Sequence, residues 1–357
     1  MSTTEHTLER PTQTAADRVA GIIAGRRARH RRHATVTIVL GAVTIALFVV
    51  ALMVGNTFYP LDEVIRVILG ETVPGASFTV GELRLPRAVL AVLVGFGFGI
   101  AGVTFQTMLR NPLASPDVIG ISTGASAAAV LGIIVFSFNG PVVSVLAVVG
   151  ALVTAGAIYL LSIKGGFAGT RLILIGIGVA AMLQSVVSYL LSRAPNWDIQ
   201  QAMVWLTGSL NNASWDRVMP IAIAAAVIVP FMLSQGRALG TLQLGDDSAA
   251  GLGVRVNTTR VLFIVGAVTI LAFATAATGP IAFVAFMAGP IAARLTGPGA
   301  NLLVPSALIG AILVLGGDMI AQYALGTRYP VGVVTGVLGA PYLIYLLIRT
   351  NRSGGSL

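Results

Sequence analysis

The sequence predicts an all-α polytopic membrane protein with about ten transmembrane helices. Hydrophobic residues make up 56% of its 357 positions and charged residues only 10%, whereas a soluble protein carries about 25% charged residues. So little charge cannot cover a surface that faces water, and lipid is therefore the expected solvent. Apolar runs of about 20 residues recur along the chain, which is the length that a helix needs to cross the hydrocarbon core.

Ten apolar runs, separated by polar breaks, predict the individual spans. The 42 glycines include many within these runs, and small residues let helices approach closely in lipid. An even number of spans places both termini on the same side of the membrane. The predicted spans are 34–54, 85–107, 117–137, 142–163, 171–192, 218–235, 260–278, 280–297, 303–323 and 330–349.

The arginines predict that both termini are cytoplasmic. Seven arginines lie in the first 33 residues, and cytoplasmic flanks carry an excess of basic residues. Such a cluster is typical of a segment that faces anionic lipid headgroups, so the net charge of +9 favours the bilayer over nucleic acid as a partner. We expect a basic cytoplasmic segment over 1–33, a transmembrane permease domain over 34–349 and a cytoplasmic tail over 350–357.

The chain offers few groups for capturing energy or for catalysis. It has no cysteine, and its three histidines all precede the first span, which argues against a metal site inside the membrane. A phosphate-binding loop requires Gly-Lys-Ser/Thr, but the only lysine, Lys164, follows Ile163. The sequence shows no nucleophile, acid–base pair or cluster of metal ligands that would lie within reach of one another, as a membrane enzyme would need. We therefore expect no catalytic residue, no cofactor and no metal.

Ion coupling would require an ionisable group inside a span. Asp318 is the only acid well inside an apolar run, and we expect it to be paired with an arginine or hydrogen-bonded between helices. An ion-coupled secondary transporter of a small solute stays open as an alternative, because backbone carbonyls can also bind sodium. The long inner loop of about 236–259 predicts instead a contact for a cytoplasmic partner, since a plain connector needs fewer residues.

Several motifs resemble one transporter family. The segment ELRLPRAVLAVLVGFGFGIAGVTFQTMLRNPLASPDVIGISTGAS (82–126) resembles the signature of the iron–siderophore and vitamin B12 permeases, the FecCD-type membrane subunits of type II ABC importers. The loop LGDDSAAGLGV (244–254) is similar to the coupling segment of that family. GPIAFVAFMAGPIAARLTG (279–297) and YPVGVVTGVLGAPYLIYLL (329–347) are similar to its closing motifs. The likeness is greatest to ferric-enterobactin-type permeases.

The resemblance implies a working cycle in the bacterial cytoplasmic (inner) membrane. An extracytoplasmic siderophore-binding protein would deliver a ferric siderophore to a passage formed by this chain and a second, related permease chain. Two separate ATPase subunits would bind ATP and drive the passage between outward and inward access. Permeases for cobalamin or heme in the same family are the alternatives.

The resemblance also implies docking residues on the outer side. Arg84 and Arg87 are three residues apart, hence on one helix face, and arginines at these positions in the family face acids on the binding protein. The alternative is anchoring at the membrane interface, with the guanidinium groups reaching water. Arg328 is a further docking candidate. Some relatives have an arginine four residues after the aspartate that corresponds to Asp318, whereas this chain has Gln322 there. Arg328 is therefore also a candidate for the positive charge near Asp318.

Two more groups of residues complete the predicted sites. Seven residues of the inner loop are expected to contact the ATPase, and four residues inside spans are expected to serve helix packing or the pathway. One departure is that Pro290 is followed by Ile291, where many relatives have a histidine, so no role is assigned there. The ATPase-coupling residues are Gly245, Asp246, Asp247, Ala250, Gly251, Leu252 and Gly253, and the packing or pathway residues are Gln106, Gly176, Gly178 and Gln184.

Overall fold

The computed structural model describes residues 15–163, 169–297, 299 and 301–352. Lys164, the first fourteen positions of the predicted N-terminal segment and the end of the predicted tail lie outside these ranges. Within them the chain is helical, with fourteen α-helices and one π-helical segment, Ser77–Arg84, which leads directly into α3. The helices are α1 Ala15–Met53, α2 Leu61–Ile68, α3 Leu85–Met108, α4 Ile121–Ile134, α5 Pro141–Ser162, α6 Gly169–Arg193, α7 Asn196–Thr207, α8 Trp215–Ser234, α9 Gly236–Leu242, α10 Asp246–Gly251, α11 Val256–Thr278, α12 Val284–Thr296, α13 Leu303–Tyr323 and α14 Val331–Arg352.

The predicted all-α polytopic fold is confirmed. Eight helical segments of the described chain are long and apolar enough to cross a membrane, and two shorter apolar helices, α4 and α12, accompany them. Each of the ten predicted spans falls on one of these ten. We call the end of the bundle that contains α2 and α7 the outer end, and the end that contains α9 and α10 the inner end, following the predicted orientation.

Two predicted spans are shorter than expected. The helices at 117–137 and 280–297 contain 14 and 13 residues, which is about 20 Å of helix against a hydrocarbon core of about 30 Å. Each is preceded by irregular backbone, with Gly120 and Phe283 both at positive φ. Non-helical backbone at membrane depth is tolerated only where protein covers it, and buried residues flank both turns.

Three helical segments at the outer end were not predicted. They are α2, the π-helical segment and α7. The first two have eight residues each and α7 has twelve, so a search for apolar runs of about 20 residues passes over them. The predicted boundary at 33/34 also carries no structural break, since α1 runs through it as one helix of 39 residues.

Helix α3 lies at the centre of the bundle, against α11, α12 and α13. Its glycines allow this approach. A Cβ atom on Gly99 would clash with the carbonyl oxygen of Ser306 in α13, and one on Gly102 would clash with that of Ala285 in α12. Because lipid provides no hydrophobic drive between helices, such backbone contact is a main source of helix association. The glycines of this span therefore serve packing.

We predict that Gly102→Ala destabilises the folded protein by about 1–3 kcal/mol, the usual cost of forcing extra volume into a packed core. Gly156→Ala is the matched control, because a Cβ atom on Gly156 of α5 meets nothing within 4 Å. The measurement is the melting temperature of each purified variant in detergent. Equal melting temperatures for the two variants would contradict the packing role.

Candidate functional site

Arg84 binds the end of α1 at the outer end of the bundle. Its Nη1 donates to the carbonyl oxygens of Leu52 and Met53, at 2.9 Å each, and its Nη2 donates to that of Thr57 at 2.6 Å. The guanidinium also lies 5.1 Å from the ring centroid of Tyr59. Cations suit helix C-termini, where the last carbonyls lack intrahelical donors. Arg84 thus caps α1 and joins it to α3.

Arg87, one turn further along, forms a buried ion pair with Asp318 of α13. Its Nε and Nη2 donate to Oδ2 and Oδ1 at 2.8 and 2.7 Å, and the two side chains are only 18% and 7% exposed. Asn211 accepts a bond from the same Nη2, and Gln322 donates to Asp318 Oδ2 at 2.7 Å. Such a two-point pair is strong and directional, and it joins α3 to α13.

This geometry settles the environment of Asp318. The expected pairing with an arginine is confirmed, and the partner is Arg87. The suggestion that Arg328 supplies the nearby charge is wrong, because Arg328 is exposed and donates to Asn56 Oδ1 at 3.4 Å. The suggestion failed because sequence proximity to Asp318 does not report which helix packs against it.

The docking role of Arg84 and Arg87 stays a prediction. Both guanidinium groups are held by partners within the chain, so contact with a binding protein would require these bonds to be shared or exchanged. Of the three docking candidates, Arg328 is the exposed one.

A cavity of about 640 Å³ opens at the outer end between α4, α5, α7, α8 and α11. Two tryptophans, Trp197 and Trp205, share its wall with amide side chains and with Arg217. The Arg217 guanidinium donates to the carbonyl oxygen of Ala277 at 3.3 Å. A wall of amides and one cation is suited to a ligand rich in oxygen atoms. The polar residues of the lining are Ser144, Gln200, Gln201, Ser209, Asn211, Asn212, Arg217 and Thr278.

At the inner end, one carboxylate ties the short helix α10 to two long helices. Arg110, which lies just beyond the end of α3, donates from Nη2 to Asp246 Oδ1 at 2.9 Å. Arg260 of α11 donates from Nη2 to both carboxylate oxygens of Asp246, at 3.0 Å each. Arg110 also donates from Nε to the carbonyl oxygen of Leu242 at 3.1 Å. Asp246 is therefore the link between the inner loop and the centre of the bundle.

The rest of the inner loop presents an exposed surface. Gly245 and Gly253 bracket α10 at φ values of 107° and 83°, a region that other residues adopt only at a cost. Leu252 is 67% exposed and Leu244 is 64% exposed, although both are large and apolar. The remaining predicted coupling residues, Asp247, Ala250 and Gly251, are exposed as well. The predicted set thus divides into one inward-facing anchor, Asp246, and an outward-facing surface.

The four predicted packing or pathway residues also divide. Gln106 of α3 donates to the carbonyl oxygen of Phe286 of α12 at 3.0 Å, and Gly176 of α6 is buried where a Cβ atom would crowd Ile119. Both serve helix packing. Gly178 and Gln184 are exposed on α6, and Gln184 makes no hydrogen bond to any described residue, so the expected bond to a neighbouring helix is not formed within this part of the chain.

Sequence reasoning missed several residues of these sites. Arg110, Arg260 and Asn211 were given no role from the sequence. For Arg110 and Arg260 there was a signal, since both lie at the inner ends of predicted spans, level with the acidic inner loop. For Asn211 there was none, because a polar residue in a loop is ordinary.

We predict that Asp318→Asn destabilises the protein by about 3–5 kcal/mol, because it leaves the charge of Arg87 buried without a counter-charge. Replacing both residues by apolar ones, Arg87→Met with Asp318→Leu, should restore part of the loss. The control is Glu71→Gln, which breaks an exposed pair with Arg66 and should leave the melting temperature unchanged. If Asp318→Asn melts like the control, the ion pair has no structural role.

Comparison with known proteins places the chain in a family. The FecCD transport family matches residues 29–349. The ferric enterobactin transport system permease protein FepG of Escherichia coli (strain K12) is 39% identical over 299 residues, covering 82% of this chain and 88% of the relative. The iron(3+)-hydroxamate import system permease protein FhuG of Bacillus subtilis (strain 168) is 38% identical over 317 residues, covering 86% and 94%.

A solved structure shares the fold. It is described as an inward-facing conformation of a metal-chelate type ABC transporter, and it superimposes with a TM-score of 0.79 at 25% sequence identity, covering 88% of this chain and 99% of the other. The match over nearly the whole chain, in sequence and in the arrangement of helices, means that this polytopic membrane protein belongs to the FecCD transport family.

Proposed function

We propose that the chain is the membrane permease subunit of an ABC importer that takes up a ferric siderophore. The observation that carries this proposal is the likeness, over more than four-fifths of the chain, to permeases named for ferric enterobactin and iron(3+)-hydroxamate. In this function the chain receives the chelate from an extracytoplasmic binding protein and passes it through the bacterial cytoplasmic membrane. Both termini lie in the cytoplasm.

Separate ATPase subunits supply the energy and bind at the inner end. The exposed leucines Leu244 and Leu252 flank α10, and large apolar side chains grouped on a polar face mark protein contacts. Asp246 connects α10 to α3 and α11 through its two arginines. When an ATPase subunit moves α10, these ion pairs pass the movement to helices at the centre of the bundle. The chain itself supplies no ATPase site and binds no cofactor.

A second permease chain, related to this one, covers the exposed face of α6. In the most apolar stretch of this helix only 17% of the residues are buried within the described chain. In the corresponding stretch of the segment Ser77–Met108, which contains α3, 78% of the residues are buried. Gly178 and Gln184 lie on the exposed face, and an amide side chain facing lipid would leave its hydrogen bonds unmade. A facing protein chain, or the pathway between two chains, satisfies Gln184 better than lipid does.

Asp318 argues against the ion-coupled alternative. A carboxylate that binds and releases a proton or sodium during transport needs a changing environment. Here both oxygens of Asp318 are engaged at once, by Arg87 and by Gln322. The pair is a support between helices rather than a coupling site.

Transport by the reconstituted complex tests the function. We expect vesicles that contain this chain, its permease partner, the ATPase subunits and the binding protein to accumulate radiolabelled ferric siderophore only with ATP, and vanadate should stop the accumulation. Uptake by this chain alone on an ion gradient would contradict the proposal. Uptake of cobalamin or heme instead of the ferric siderophore would assign the chain to another branch of the family.

We predict that Asp246→Asn lowers ATP-driven uptake about tenfold while the ATPase subunits still hydrolyse ATP, because a charge-assisted bond contributes about 1.5–3 kcal/mol and two arginines lose theirs. The matched control is Asp247→Asn, which removes the neighbouring charge. Asp247 is exposed and forms no ion pair with any described residue.

The ratio of chelate imported to ATP hydrolysed is the measurement for both variants. We expect the ratio to fall for Asp246→Asn and to stay close to the wild-type value for Asp247→Asn. An equal fall in both would mean that the acidic charge of α10, and not the link through Asp246, matters for coupling.

A further inference from the structure

A basic cavity lies at the inner end, between α1, α9 and the connection from α12 to α13. Its volume is about 890 Å³. The lining combines residues that are far apart in the sequence, since α1 contributes six residues between positions 26 and 33, α9 contributes Arg237, and the connection contributes Gly299 and Asn301. The charged and titratable residues of the lining are Arg26, Arg27, Arg29, His30, Arg31, His33 and Arg237.

Specific bonds hold the cavity in shape. Arg32 donates from Nε to the carbonyl oxygen of Leu295 at 3.0 Å and from Nη2 to that of Arg294 at 3.1 Å, at the C-terminal end of α12. His33 Nε2 lies 2.9 Å from the carbonyl oxygen of Asn301. A guanidinium at the end of a helix satisfies carbonyls that lack other donors. The cytoplasmic part of α1 is therefore fixed against α12, and the basic wall is a built feature of the fold.

The positive charges of the cavity are not balanced within the described chain. None of its arginines takes part in an ion pair there, and none of the described residues that line it carries a carboxylate. Like charges repel each other when they are closer than the screening length, which is about 8 Å in physiological salt. A fold that holds them together gains stability when an anion enters.

The depth of the cavity indicates which anion. Positions 26–33 directly precede the predicted start of the first span at 34, and at 1.5 Å per residue they cover about 10 Å of helix. The polar headgroup region extends about 5–7 Å beyond each side of the hydrocarbon core. The arginines of α1 are therefore level with lipid phosphates of the inner leaflet, where anionic lipids attract basic residues.

We propose that this cavity binds the phosphate of an anionic phospholipid from the inner leaflet. The bound phosphate bridges α1 and Arg237, the second residue of α9, which leads into α10. The lipid thereby stabilises the inner loop against the first transmembrane helix. The proposal goes beyond import of a chelate, and it depends on the predicted orientation but not on which solute the permease carries.

Lipid retention by the purified full-length chain tests this site. The protein is placed in neutral phosphatidylcholine, phosphatidylglycerol is titrated in, and the bound lipid is counted by native mass spectrometry. We expect Arg29→Gln with Arg237→Gln to weaken phosphatidylglycerol binding about 30-fold, since each arginine at an anionic membrane surface contributes about a factor of five. The two side chains are exposed, so the variant should keep its melting temperature in phosphatidylcholine.

Arg255→Gln is the matched control, because Arg255 is an exposed arginine at the inner end that does not line the cavity. It should leave phosphatidylglycerol binding within about twofold of the wild-type value. A weakening of about fivefold by Arg255→Gln, which is the effect of one arginine at any anionic membrane surface, would mean that only the overall charge of the inner end attracts lipid, and would overturn the proposed site.

A second arm distinguishes the lipid from a free anion. Inorganic phosphate at the same concentration should not displace phosphatidylglycerol, because it lacks the acyl chains that hold the lipid at this depth. Displacement by phosphate would assign the cavity to a soluble anion and overturn the lipid proposal. Undiminished lipid binding by Arg29→Gln with Arg237→Gln would overturn it as well.

Discussion

The close approach of α3 to α12 and α13 is the constraint on which the rest of the structure depends. Lipid provides no hydrophobic drive between helices, so association relies on backbone contact and on polar bonds. The glycines of α3 allow the contact, and side chains larger than hydrogen at Gly99 or Gly102 would strike carbonyl oxygens of the neighbouring helices. With α3 held at this distance, the arginines at and just beyond its ends reach partners on other elements.

These arginines connect the two ends of the bundle through one helix. At the outer end Arg84 caps α1 and Arg87 pairs with Asp318, and just past the inner end Arg110 pairs with Asp246. The outer pair is almost enclosed, whereas the side chains of Arg110 and Asp246 are 45% and 47% exposed. An enclosed pair is costly to separate, but a half-exposed pair exchanges partners with water readily. The outer pair suits a permanent support, and the inner pair suits a part that moves.

Much of this arrangement was predictable from the sequence, and the failures share one cause. The ten spans and the inner loop followed from local composition, as did the need of Asp318 for a polar partner, either an arginine or a hydrogen bond between helices. The choice of partner did not, because Arg87 lies 231 positions from Asp318, and no periodicity in either helix reports the other. The same holds for the basic cavity, which α1 forms with Arg237 and with the connection before α13.

By itself, then, the sequence determined the solvent of this protein, the number of its apolar helices and the family to which its motifs belong. Hydropathy is a property of consecutive residues, and it acts on each helix before any helix meets another. The tertiary structure decided where each charge goes. In a medium that cannot solvate ions, an arginine binds whichever carboxylate or carbonyl the packed helices bring within hydrogen-bonding distance, and that depends on which backbones can touch.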